Sequence, residues 1–217
     1  LTIRWETVER VSKDGGAVVT GDSGTASEPT EVALRWGERP IVVYVCDEAA
    51  GCEGFDKLEE VVLKDEKVAL GMKAFRTVKM HPDHADVDPV TKGKGKDVPR
   101  MLIIDPTKMK VTVLDKSKLK ASALYSAMKK VAGKSYKEKL DKVVKTHLKL
   151  LTKQDQLANA EKTLAAKEAR LAGEDGKSAE KELEKLKEER AELRKEIQDM
   201  AKEQKEIWKL TLKSKAT

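Results

Sequence analysis

From residue 136 to residue 213 the chain contains no proline and only two glycines, Gly173 and Gly176. All six prolines, both cysteines and every segment that reads as a strand lie before residue 135. The shift divides the chain near that point. Residues 1–134 read as a mixed α/β domain, with 1–29 as an extension, and 135–217 as a domain made almost wholly of helix formers. Within the second domain Val143, Leu150, Leu157, Leu164 and Leu171 recur every seven residues. Val144, Leu151, Ala158, Ala165 and Ala172 follow one position behind, which predicts a continuous apolar stripe. A third seam position runs Leu140, His147, Gln154, then turns charged at Glu161 and Glu168. Gly173-Glu174-Asp175-Gly176 is a turn signal. Beyond it the stripe resumes as Leu183, Leu186, Leu193, Ile197, Met200 and Ile207, interrupted by Arg190 and Gln204. The pattern predicts an antiparallel helical hairpin, a coiled coil turning at 173–176. Its arms would be about 35 residues, or roughly 50 Å, long. His147 reads as a packed seam residue. The hairpin is a rigid spacer, a self-association arm or a docking surface for a protein partner.

The remaining composition narrows the classes. Aromatic residues make up 4% of the 217 and charged residues 38%, so part of the chain is solvated helix rather than filled core. No stretch approaches eighteen apolar residues, so no membrane span is expected. Two cysteines exclude a disulfide-dense scaffold and a four-cysteine zinc site. The net charge of +6 is mild for so charged a chain. With few aromatics among the basic residues, it argues against nucleic acid. No nucleotide loop, Ser-His-Asp set or zincin motif is legible, and no cofactor is expected.

The N-terminal half carries whatever chemistry there is. Trp5 and Val8 belong to an opening helix or edge element. Asp14–Glu28 reads as a loop around the short apolar run Ala17-Val18-Val19. Thr30–Trp36 has helical spacing, with Ser27 or Thr30 as cap and Gly37 as stop. Ile41–Val45 is an unbroken β-branched run, the mark of a buried central strand, and ends at Cys46. Asp47–Gly51 reads as a loop, Gly54–Lys64 as a helix and Asp65–Leu70 as a further short turn. Phe75–Met80 is a second strand with Phe75, Val78 and Met80 facing the core. His81–Val98 reads as a polar loop, which makes His81 and His84 exposed. Met101–Ile104 and Lys110–Leu114 form a hairpin through Asp105-Pro106-Thr107-Lys108. Ser117–Val131 closes the domain as a helix, with Leu119, Leu124, Met128 and Val131 inward.

Three pieces carry a resemblance: RPIVVYVCDEAAGCEGF over 39–55, FRTVKM over 75–80 and VPRMLIIDPTKMKVTVLD over 98–115. In their order and spacing, residues 30–133 resemble the thioredoxin-like family, above all its thiol-disulfide interchange members. The resemblance implies a central mixed sheet flanked by helices. It also implies a strand that delivers a cysteine pair to a helix start, and a cis proline, here Pro99, facing that pair. It further implies an exported or periplasmic compartment, in keeping with a chain that begins at Leu1 rather than Met. The motif itself departs from the family. Cys46 and Cys52 are separated by five residues, where the family spaces its pair by two.

The pair admits three states. Cys52, at a helix start, is the better nucleophile, because backbone N–H groups and the helix dipole lower a thiol's pKa there. Cys46 would then resolve the mixed disulfide. Alternatively the two form a structural bridge, or they are inert thiols. Asp47, Glu48, Glu53 and Asp56 oppose a thiolate nearby. A soft metal, copper(I) or zinc, on Cys46, Cys52 and His81 or His84 is a further reading. Charge is also segregated: Asp47–Glu66 is acidic, whereas Lys92–Lys134 is basic, with Lys92, Lys94 and Lys96 in a glycine-rich loop before Pro99. Two functions follow. One is a thioredoxin-like interaction or scaffold module with a degenerate redox motif. The other is an atypical thiol-disulfide oxidoreductase using Cys52, Cys46 and Pro99.

Overall fold

The computed structural model describes residues 3–8, 19–20, 39–47, 55–106, 108–171, 177–207 and 210–213. The helix expected over Thr30–Trp36, Cys52 and the turn at 173–176 lie outside the described residues. Six strands are described: β1 (Glu6–Val8), β2 (Val19–Thr20), β3 (Ile41–Val45), β4 (Arg76–Met80), β5 (Arg100–Asp105) and β6 (Lys110–Asp115). They form one mixed sheet in the order β2-β1-β4-β3-β5-β6. β1, β4 and β3 run parallel, while β5 and β6 return antiparallel as a hairpin. β1 is an interior strand, joined to β4 by Arg76, whose guanidinium pairs with Glu6. Val19, expected in a loop, belongs to β2.

Both faces of the central strands are covered, which is why β3 and β5 read as continuous apolar runs rather than alternating ones. Ile41, Val43, Val45, Val78, Met80, Leu102 and Ile104 form one cluster with Ala85. Tyr44 faces the other way and stacks against Phe55, ring centres 6.3 Å apart. Phe55 opens α1 (Phe55–Lys57), which widens into a π turn over Leu58–Val62. There the Leu63 N–H donates to the Leu58 carbonyl at 2.9 Å. The wider turn buries Leu58, Val62 and Leu63 together. α2 (Glu66–Met72) starts at Asp65, whose side chain accepts from the Val68 N–H at 3.0 Å. The final helix of the sheet domain, α4 (Ala121–Ser135), packs on β5, β6 and α2. It begins later than the sequence pattern places it. A 3₁₀ turn at Lys116–Lys118 comes first, so Leu119 lies before the helix and is half-buried, while Leu124, Met128 and Val131 are buried as expected.

The segment expected as an exposed polar loop, His81–Val98, contains a helix. α3 (Pro82–Val87) begins with proline at its first position, where a missing N–H costs nothing, and its preceding His81 caps it through Nδ1. Asp88 closes it: its Oδ1 accepts from the Val90 and Thr91 N–H groups at 2.8 and 3.0 Å. His84 is buried on this helix, which corrects the expectation of an exposed histidine.

Contacts divide the chain into two units, Leu1–Asp141 with Leu210–Thr217, and Lys142–Lys209. The second unit is therefore an insertion in the first. The returning chain pairs Leu212 with Tyr136, where Lys137 N–H donates to the Thr211 carbonyl and Lys213 N–H to the Ser135 carbonyl, both at 2.9 Å. The helices α5 (Leu140–Leu171) and α6 (Lys177–Ile207) form the antiparallel hairpin. Its antiparallel sense shows in the cross-helix pairs Lys153–Glu196 and Lys167–Glu182, each at 2.7 Å, and Arg194–Glu161. Val143, His147, Leu150 and Leu164 are buried in the seam, whereas Leu183, Leu186, Leu193, Ile197 and Met200 are half-buried. The trailing row extends the stripe only at its start: Val144 is buried and Leu151 half-buried, whereas Ala158 and Ala165 are exposed, because a two-helix seam covers only about two positions in seven.

Candidate functional site

The parallel pairing sets Val45 of β3 level with Met80 of β4, and the antiparallel pairing sets Val45 level with Arg100 of β5. One residue further, Cys46 falls between His81 on one side and Pro99 on the other. The Cys46 N–H donates to the Met80 carbonyl at 3.2 Å, which carries the sheet pairing to that point. The Val98–Pro99 peptide bond is cis. Three of the sequence-selected residues thus meet at one end of the sheet, because three central strands end there.

Cys46 is 5% exposed and its neighbour in the chain is the Asp47 carboxylate. Asp47 Oδ2 lies 3.4 Å from His81 Nε2. On the other side of the ring, Nδ1 accepts from the Asp83 N–H at 3.3 Å and lies 3.4 Å from Asp83 Oδ2. The arrangement sets a histidine between the Asp47 and Asp83 carboxylates beside a closed thiol.

His84 does not join this group as a surface ligand. It is 1% exposed, and neither ring nitrogen has a hydrogen-bond partner among the described residues. Burial holds its pKa below the ordinary imidazole range; the Asp88 carboxylate partly opposes this and His81 adds to it. Among the described residues, no three His, Cys, Asp or Glu side chains converge in a way that could hold a metal ion. Nor is any helix among them long and apolar enough to cross a membrane.

Beside Pro99 lies a groove of about 410 Å³. Its floor is Leu58, Val98, Pro99 and Leu119, and its rim carries Lys57, Lys116, Lys120 and Asp97. Lys116 Nζ pairs with Asp97 Oδ1 at 2.8 Å, which raises the lysine's pKa. Sequence reasoning passed over Lys57 because it sits in an acidic stretch. It passed over Lys116 because its left-handed backbone, φ 43°, has no residue-type signal. Arg100, next to Pro99, was also missed as a buried cation. It is 1% exposed, with Nη2 3.3 Å from Asp86 Oδ1 and Nη1 donating to the Asp97 carbonyl at 3.2 Å. The helix α3 did have a signal, the His81-Pro82-Asp83 start with proline at the first position and an acid in the first turn.

Together these features define an α/β sheet domain with a closed thiol and an open, lysine-rimmed groove at the same strand ends, carrying an inserted helical hairpin. No protein-family model matches the chain, and no curated protein matches it.

Proposed function

We propose that the chain is a thioredoxin-like polypeptide-binding module with a degenerate thiol motif, and that its helical hairpin serves self-association or attachment to a protein partner. The observation that carries this reading is the enclosure of Cys46 beside Asp47, with the open groove lying next to it at Pro99. A reactive thiol needs partial exposure, and Cys46 is closed off from solvent. The strand order and the lead of Pro99 into β5 support the family part of the reading.

The test is thiol trapping of the full chain with mass readout, after equilibration in glutathione or dithiothreitol. Cys46 should alkylate slowly in the native state, and no reversible Cys46–Cys52 disulfide should form between about −120 and −270 mV, the range of catalytic dithiols. A reversible disulfide in that range would overturn the module in favour of the oxidoreductase, in which Cys52 attacks, Cys46 resolves and Pro99 shapes the substrate groove. A bridge below about −300 mV would be a structural link and would leave the module in place. Sedimentation of the full chain across a concentration series tests the hairpin, with self-association appearing as a rising average mass.

A further inference from the structure

The groove at Pro99 combines an apolar floor with an unbalanced rim. Three exposed lysines and one aspartate line it, and that aspartate is already engaged by Lys116. Lys57 and Lys120 have no acidic partner within ion-pairing distance among the described residues. Of the acids after Lys57, Glu59 pairs with Lys79 at 3.4 Å and Glu60 with Lys64 at 3.8 Å. Lys92, Lys94 and Lys96, all exposed in the loop leading to Pro99, add to the positive field on the approach.

We propose that this groove selects an acidic segment of a polypeptide, an apolar side chain with carboxylates on either side. This inference rests on the module reading and adds the partner's chemistry to it. The apolar side chain enters between Leu58 and Leu119, where burial drives binding. The flanking carboxylates then reach Lys57 and Lys120, which pair with no acid among the described residues. Like-charged segments are turned away by the same lysines, so the rim supplies selectivity and rate of approach more than affinity.

The experiment is fluorescence anisotropy on the full chain with fluorescein-labelled peptides that place one leucine between pairs of glutamates, serines or lysines. The glutamate peptide should bind best, and more weakly as salt rises. The double variant K57E/K120E should weaken it by about tenfold, since two exposed attractions become two repulsions, and should raise affinity for the lysine peptide. Both substitutions are at exposed positions, and an unchanged melting curve confirms the fold. Equal binding of the three peptides would overturn the acid selection and leave a polypeptide groove. Unchanged glutamate-peptide affinity in K57E/K120E would also overturn it, by placing the contact elsewhere. Binding of none of the three would overturn both the selection and the polypeptide-binding reading beneath it.

Discussion

Asp86→Ala should destabilise the sheet domain by about 2 kcal/mol, although Asp86 itself is mostly exposed. The cost arises at Arg100. Among the described residues its guanidinium has one ionic partner, Asp86 at 3.3 Å, one carbonyl acceptor on Asp97 at 3.2 Å, and an Nε with no acceptor. The side chain is 1% exposed, so water does not replace a lost partner in place. Removing one partner of a fully buried pair costs roughly 3–5 kcal/mol. Here the Asp86 side chain is 65% exposed, so water already screens the pair, and the Asp97 bond survives, which brings the figure down. Arg100→Met removes the charge and the orphaned Nε together, and should be neutral or stabilising by about 1 kcal/mol. In the Met background Asp86→Ala should then cost nothing. Urea unfolding followed by near-ultraviolet circular dichroism gives the three values, provided the urea dependence is unchanged. An Asp86→Ala cost below about 0.5 kcal/mol, or a larger loss for Arg100→Met than for Asp86→Ala, would refute the reasoning.

Acid should weaken the sheet domain through His84. Its folded pKa lies below the ordinary value, so the unfolded chain takes up the proton first; the stability is full above about pH 6.5 and lost as pH falls through that value toward the folded one. His84→Leu should flatten this part of the stability–pH curve measured in urea. Gly95→Ala should cost about 1–2 kcal/mol, because φ is +78° and the new Cβ would stand 3.0 Å from Val113 Cγ1, whereas Gly93→Ala meets nothing within 4 Å and should cost less; thermal melts of the two separate strain from crowding. In the hairpin, Leu164→Ala should lose about 2–4 kcal/mol of helix stability and Ala158→Ser less than about 0.5, read by far-ultraviolet circular dichroism, since Leu164 is buried and Ala158 exposed.

The hairpin was legible because its signal is local and repeated. Each heptad restates the same seam, and proline is absent throughout. β3 and β5 were legible for a related reason: strands covered on both faces need an unbroken apolar run, and little else produces one. β2 and α3 were not. A two-residue strand carries no period, and Val19–Thr20 is a strand because β1 offers it a free edge. α3 is six residues, only three of them polar, held by its caps and by the burial of His84 and Ala85, which depends on a sheet distant in the chain. The candidate site shows the same division. Cys46 and Pro99 were visible as residue types in a family-like order, but their adjacency comes from strand register, and the groove beside them from a turn at Lys116 that only the fold reveals.

By itself, then, the sequence determined the two-part organisation, the central strands and the helical arm, because each rests on periodicity or composition repeated over many residues. Tertiary structure decided that the arm is an insertion whose end returns to Tyr136, that Arg100 and His84 are buried, and that Lys57 meets Lys116 and Lys120 at one groove. These depend on pairings between residues far apart in the chain, and the identity of a residue says nothing of its distant neighbours until the sheet has set their register.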